Sequence, residues 1–299
     1  MDLIRISTTA HILNFLPEYV AADRGLFAAR DLEVRITVRD PWDGVLDDLA
    51  DGSADLVLSG MFVPAMYAGR GRDLVVVGQL NGRLPSGLVT REPVPDFRWS
   101  WLTGRTLLAP GATGAGPNEF AIGLMREAGV DPAGTRFVRD FPKSVMTELF
   151  TAGLGDALLI DLATATGLQD AGTGTVSCDL AQSGGAMPNS VYYLNRDTLD
   201  GRRDVIERFL AALSEGMAQT TGSAPAELDD VLTRHWPDTH PDVLHDGVAR
   251  MIESGLWSGV RVEREACDRW VRMLHQAGLV QEPVPFDDLV DTKALDAIE

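Results

Sequence analysis

Lysine is nearly missing from this chain. Only Lys143 and Lys293 stand among its 26 basic residues, so chemistry that needs a lysine Schiff base has two places to occur, one of them in a C-terminal tail. Cysteine is as scarce: Cys178 and Cys267 lie far apart, form no metal-type spacing, and read as buried free thiols rather than a disulfide. Positive charge is in deficit. With 44 acidic residues the net charge is −18, which excludes nucleic acid as a partner, because such proteins need a basic face. No apolar run reaches the ~18 residues that cross a bilayer, so no membrane insertion is expected. Met1 is followed at once by Asp2-Leu-Ile-Arg-Ile-Ser-Thr8, which reads as a strand and not as a basic region leading into a leader's apolar stretch. The expectation is a cytoplasmic protein; the alternative is an exported one whose leader has been removed.

What is present suffices for a core. At 299 residues and 45% hydrophobic content the chain can fill one large domain or two medium ones. One pattern occurs twice. Gly44–Ala50 followed by Gly52-Ser-Ala-Asp55 and Leu-Val-Leu-Ser59, and Ser144–Ala152 followed by Gly153-Leu-Gly-Asp156 and Ala-Leu-Leu-Ile160, each spell a short amphipathic helix, a Gly-x-x-Asp turn and a buried apolar strand. The glycine suits the left-handed end of a helix. A four-residue apolar run suits a parallel strand covered on both faces.

Strand-like runs at 3–8, 32–38, 56–59, 74–78 and 88–90 alternate with helical patterns at 15–29, 44–50 and 63–68, which is the signature of an open parallel sheet. The segment Glu92-Pro-Val-Pro-Asp-Phe-Arg-Trp-Ser-Trp101 interrupts the period and reads as a crossing. The cycle then restarts, with strands at 106–109, 136–139, 157–160 and 176–178 and helices at 117–128, 144–152 and 162–170. Ser183-Gly-Gly-Ala-Met-Pro-Asn189 reads as a return crossing into a strand at 190–194, and the chain is mostly helical from Asp204 on. The fold class is therefore α/β, with two lobes, each a mostly parallel sheet flanked by helices, two hinge crossings and a helical C-terminal segment. Lobe 1 comprises 1–95 and 190–299, and lobe 2 comprises 96–189.

Four segments, two of them the repeated turns, carry a family likeness. Leu16-Pro-Glu-Tyr-Val-Ala-Ala-Asp-Arg-Gly-Leu-Phe-Ala-Ala-Arg-Asp-Leu-Glu-Val-Arg-Ile36 resembles the opening of type II periplasmic solute-binding proteins, in the branch shared by sulfonate- and nitrate-binding proteins and the thiamine-pyrimidine synthases. The Gly-x-x-Asp turns at Asp55 and Asp156 and the ending Pro285-Phe-Asp-Asp-Leu-Val-Asp291 are similar to that family's. The resemblance implies a ligand site in an interlobe cleft, at the carboxyl ends of strands where helices begin, with a transporter permease as partner if the protein is exported.

Candidate site residues follow from those strand ends. Thr9, His11 and Asn14 follow the first strand; His11 is the one histidine in the sheet-forming part, and a structural histidine is its alternative reading. The other four histidines fall in the helical tail and match no metal spacing. Trp42 can stack on a planar ligand or cover a turn. Ser59, Met61 and Phe62 open a helix where an anion or a plain cap fits. Asn81 offers an amide, and Arg83 a carboxylate or sulfonate clamp, or only a solvated charge.

In lobe 2, Pro110-Gly-Ala-Thr-Gly-Ala-Gly-Pro-Asn118 lacks both the Lys-(Ser/Thr) pair of a phosphate loop and dinucleotide spacing, so no cofactor is expected; Thr113 and Asn118 are its ligand candidates. Phe141, Asp161, Met187 and Asn189 complete the set, with Asp161 equally placed to cap the helix after it.

Two functions compete. The first is binding of a small polar or anionic organic molecule without chemistry. The second is a cytoplasmic lyase, decarboxylase or hydrolase on the same scaffold, with His11, Asp161 or Lys143 as acid or base. Known enzyme types of the resembled family leave no trace: the loop 8–14 has no desulfinase cysteine, no cysteine-rich iron motif is present, and the opening motif of the menaquinone-pathway dehydratases is missing. A sensor role would need an appended output module, and none is seen.

Overall fold

The computed structural model describes residues 1–109 and 116–296. Ten strands occur among them: β1 (Asp2–Thr8), β2 (Leu32–Val38), β3 (Leu56–Gly60), β4 (Leu74–Asn81), β5 (Ser86–Thr90), β6 (Thr106–Leu108), β7 (Arg136–Val138), β8 (Ala157–Asp161), β9 (Thr175–Asp179) and β10 (Ser190–Asn195). They form two five-stranded sheets, ordered β2-β1-β3-β10-β4 and β7-β6-β8-β5-β9. With the fourth-placed strand of each set aside, the two orders correspond: β2-β1-β3 and β4 in one sheet, β7-β6-β8 and β9 in the other. In each, the fourth place is held by a strand antiparallel to both neighbours, β10 in the first and β5 in the second. The remaining strands of each sheet run one way, so both sheets are mixed yet mostly parallel, flanked by helices.

The chain divides into two compact units: 1–82, 188–271 and 282–299, and 83–187 with 272–281. These limits differ from the 95 and 190 read from the sequence. The segment 83–95 carries β5, buried along its whole length, and such a strand needs partners on both sides; it finds them in β8 and β9. The proline-rich 92–101 segment is thus a loop and a short 3-10 turn (Trp99–Leu102) within the second unit. The helix Arg264–Gln276 begins in the first unit and its last residues belong to the second, which amphipathic periodicity alone does not reveal.

The first unit's core packs helices Leu16–Asp23 and Arg196–Gly222 over the sheet through Leu16, Val20, Phe209 and Leu213. Gly216 permits the close approach, since a Cβ there would stand 2.7 Å from the Pro17 carbonyl oxygen. The second unit's core gathers Val89, Leu108, Met146, Phe150, Leu158 and Ile160. Both repeated turns have the geometry their glycines predict: Gly52 has φ 76° and Gly153 has φ 97°, left-handed values that a side chain would strain. The helix read at 15–29 ends at Asp23, and the helical stretch read from Asp204 on starts earlier, in the helix Arg196–Gly222. No helix among the described residues is long and apolar enough to cross a membrane.

Candidate functional site

Parallel strands deliver their carboxyl ends to one edge of a sheet, and the loops there are free of ladder duty. In the first unit β1 leads to His11, an exposed residue whose ring is packed on part of its surface. His11 packs among aromatic rings, with centroids 5.0 Å from Tyr19, 5.4 Å from His235 and 5.1 Å from Trp236. Its Nε2 lies 3.2 Å from His235 Nδ1, and His235 Nε2 lies 3.2 Å from Asp23 Oδ2. The other Asp23 oxygen faces Arg234 Nη1 at 3.1 Å. Burial first, and then the neighbouring His235, draw the His11 ring below its ordinary pKa, against an opposing bond to its own backbone. Burial raises the Tyr19 phenol above its usual range.

Trp42 lies in the 3-10 turn after β2, and Phe62 opens the helix after β3. The sequence proposes both, and the structure brings them together edge to face, with ring centroids 6.0 Å apart and both rings partly exposed. Gly60 makes room for this pair, because a Cβ there would come within 2.4 Å of the Phe62 ring. On the helix that follows Trp42, Asp48 is buried and ties down the end of β2 through Arg39. Arg39 donates to it through two nitrogens, and Ser7 donates at 2.6 Å; these bonds hold its carboxyl near a pKa of about 2 against burial.

Met61, Asn81 and Asn189 also meet. The Asn189 amide N–H donates to the Asn81 carbonyl at 2.9 Å, and the Met61 N–H donates to the Asn189 carbonyl at 3.2 Å. Asn81 Nδ2 donates to Ser190 Oγ at 3.2 Å. Met61 and Asn81 are fully buried and Ser59 nearly so, so these three brace the strand ends and offer no surface. The carbonyl of Asn14 accepts from Trp257 Nε1 at 2.9 Å, and Thr9 is half-buried.

In the second unit the structure joins Lys143 and Asp161, with Nζ 3.1 Å from Oδ2. Asp161 ends β8 and caps the helix Leu162–Asp170, accepting from the Thr164 N–H at 3.0 Å and from its hydroxyl at 2.9 Å. The cap reading of Asp161 is thus realised, and its second oxygen also meets Lys143. Phe141 is exposed just before Lys143. Arg83 donates to the Ala181 carbonyl at 2.9 Å, which ties this guanidinium to the backbone. Asn118 and Met187 are buried, and Thr113 lies outside the described residues.

The sequence reading missed His235, with Asp23, Tyr19 and Trp236 around it. His235 stands 224 residues from His11, and its helical setting gave no local signal. This cluster does not form a metal site, since both His235 nitrogens are directed to neighbours in a line. Among the described residues no group of three or more His, Cys, Asp or Glu is placed to hold a metal.

Comparison with known proteins agrees with this architecture. A family model described as "NMT1/THI5 like" matches residues 12–227. The chain is 19% identical to a Bacillus subtilis protein named "Putative binding protein YtlA", over 99% of this chain and 89% of that one. Among solved structures, the periplasmic aliphatic sulphonate-binding protein SsuA of Escherichia coli superposes with a TM-score of 0.74 at 18% identity, covering 96% of this chain and 91% of its own. The alkanesulfonate-binding protein SsuA of Xanthomonas axonopodis pv. citri, solved bound to MOPS, gives 0.73 at 14% identity, covering 97% and 98%. Likeness at these identities shows the fold they share.

Proposed function

Because the chain belongs to the NMT1/THI5-like family, whose model matches most of its length, we propose that it is a substrate-binding protein for a small polar or anionic organic molecule, held at the carboxyl ends of its parallel strands. The observation that carries this reading is the grouping at the ends of β1, β2 and β3: His11 exposed, and Trp42 and Phe62 paired and partly exposed. A polar ring and an apolar aromatic pair in the loops after three adjacent strands of one sheet suit an organic molecule with a charged or hydrogen-bonding head. The sulfonate-binding neighbours support an anionic head, since MOPS carries one.

Native mass spectrometry of the purified full chain, before and after incubation with a panel of alkanesulfonates and carboxylates, tests the proposal. A retained or saturably bound molecule recovered unchanged supports it. Turnover of that molecule would replace the receptor with an enzyme that uses the same residues, and no binding across the panel would reject the class. If the protein works outside the cytoplasmic membrane, a transporter permease is its partner, and cell fractionation decides that.

A further inference from the structure

The line Asp23–His235–His11 has a direction that elementary hydrogen-bond chemistry sets. A carboxylate oxygen accepts, and Arg234 occupies the other oxygen of Asp23 with a donor. His235 Nε2 must therefore carry the proton in its 3.2 Å bond to Asp23. A neutral imidazole has one N–H, so His235 Nδ1 is bare and accepts. Its partner at 3.2 Å, His11 Nε2, is then the donor. The same rule leaves His11 Nδ1 without a proton.

Where an added proton goes follows from the same line. Placed on His235 Nδ1 it would set two N–H groups against each other unless the His11 proton moved across its own ring, and in either case the nitrogen that ends with a new proton is His11 Nδ1. Placed on His11 Nδ1 it breaks nothing. The groups around the two rings agree with this. Tyr19 and Asp23 face them from the helix Leu16–Asp23, and Arg234 from the helix Asp229–His235, where its positive charge is spent on Asp23. His245, on the neighbouring helix Pro241–Glu253, turns instead to Asp229 at 2.6 Å.

We propose that His235, held by Asp23, is a positioning residue that fixes the His11 ring with Nδ1 as the single atom of the pair to gain a proton, so that an anionic ligand is bound there with uptake of one proton. The anion half rests on the reading of His11 as a ligand contact; the tautomer half does not.

Long-range proton–nitrogen NMR on the ligand-free, nitrogen-labelled full chain reads the tautomers directly. The expected result is an Nε2–H form for both His11 and His235 at high pH, with His11 Nδ1 the nitrogen that gains a proton when the pair takes one up. An Nδ1–H form of His11 at high pH, or a His11 Nδ1 still bare when the pair has taken up one proton, overturns the proposal. His235→Phe keeps a ring against Tyr19 but removes the acceptor, and should leave His11 a mixture of tautomers. His235→Gln restores a carbonyl acceptor and should return His11 to the Nε2–H form; a mixture in both variants overturns the positioning role. Ethanesulfonate serves as the anion probe, its affinity followed by calorimetry across pH. Affinity should fall about tenfold per pH unit once His11 is neutral, with one proton taken up per anion bound. Binding that ignores pH overturns the anion half. No binding at any pH, with the tautomers as expected, also overturns that half and places the failure in the reading of His11 as a ligand contact.

Discussion

Asp156 and Thr106 exchange two hydrogen bonds: the Thr106 N–H donates to Asp156 Oδ2 at 2.7 Å, and the Asp156 N–H donates to the Thr106 carbonyl at 2.8 Å. Asp55 and Arg5 do the same in the other unit, at 2.9 and 2.8 Å and at the same separation of fifty residues. The aspartate of each Gly-x-x-Asp turn thus clamps a middle strand of its sheet just as the third strand begins beside it. Asp55 does more. It also accepts from the Arg5 side chain at 2.8 and 3.0 Å and faces Arg202 at 3.0 Å. Burial pushes its carboxyl pKa up, and the Arg5 bonds more than offset this, leaving it lowered.

The two aspartates should therefore differ in what their removal costs. A hydrogen bond to a charged group contributes about 1.5–3 kcal/mol, so Asp156→Ala should cost about 2 kcal/mol. Asp55→Ala strands two partly exposed arginines as well and should cost about 3–4 kcal/mol, solvent screening of those arginines keeping it from more. Urea unfolding of both variants gives the comparison. A larger loss for Asp156→Ala would show that the two clamps are not equivalent in the way their geometry implies.

The turn that carries each clamp was legible before the structure because it is local, helix, glycine and aspartate following one another within a dozen residues, whereas its bonds to a strand fifty residues away were not. Legible too was the alternation of strand and helix that gives each sheet. The exchanged strand β5 was not, since an all-buried run of Ser86-Gly-Leu-Val-Thr90 satisfies either sheet and only the partners it finds decide between them. The site divides the same way. Trp42 and Phe62 could be placed because each follows a strand. His235 could not, because its relation to His11 is a contact between distant segments that no spacing encodes.

Glu18 predicts a pH dependence of stability. It is fully buried on the helix Leu16–Asp23, accepts from the Tyr192 hydroxyl at 2.8 Å, and has no partner at Oε2 among the described residues. Burial raises its pKa from 4.5 to about 7, opposed by the Tyr192 bond. Below 4.5 the carboxyl is protonated in both the folded and the unfolded chain. As pH rises from there to about 7 the unfolded chain ionises first, so stability is lost, by about 3 kcal/mol in all. Glu18→Gln keeps the acceptor and removes the titration. The gap between variant and wild type in urea titrations should therefore widen across that interval in favour of the variant, and parallel profiles would reject the account.

Lys143 and Asp161 separate a surface ion pair from a helix cap. Their side chains are 55% and 38% exposed, and pairs of that kind contribute little. Lys143→Ala should change stability by no more than about 0.5 kcal/mol. Asp161→Ala removes the bonds to the Thr164 N–H and hydroxyl as well, and losing an N-cap costs about 1 kcal/mol. Thermal unfolding distinguishes the two, and equal losses would mean that the salt bridge carries the energy.

Gly60 offers a way to move Phe62 without deleting it. Its φ lies outside the left-handed region, so alanine brings no backbone strain, but the added Cβ would stand 2.4 and 2.7 Å from two Phe62 ring carbons. The ring must swing away, and its edge-to-face contact with Trp42 goes with it. Such a contact contributes about 0.5–1.5 kcal/mol, and both rings are partly exposed, so Gly60→Ala should lower stability by about 1 kcal/mol at most. If the pair is the apolar wall of the ligand site, the same substitution should weaken binding of the molecule retained in native mass spectrometry by about tenfold, as Phe62→Ala and Trp42→Ala should. Calorimetry on the three variants checks this. Unchanged affinity in Trp42→Ala and Phe62→Ala would remove the aromatic pair from the site, while unchanged affinity in Gly60→Ala alone would mean that the ring finds its place by another rotamer.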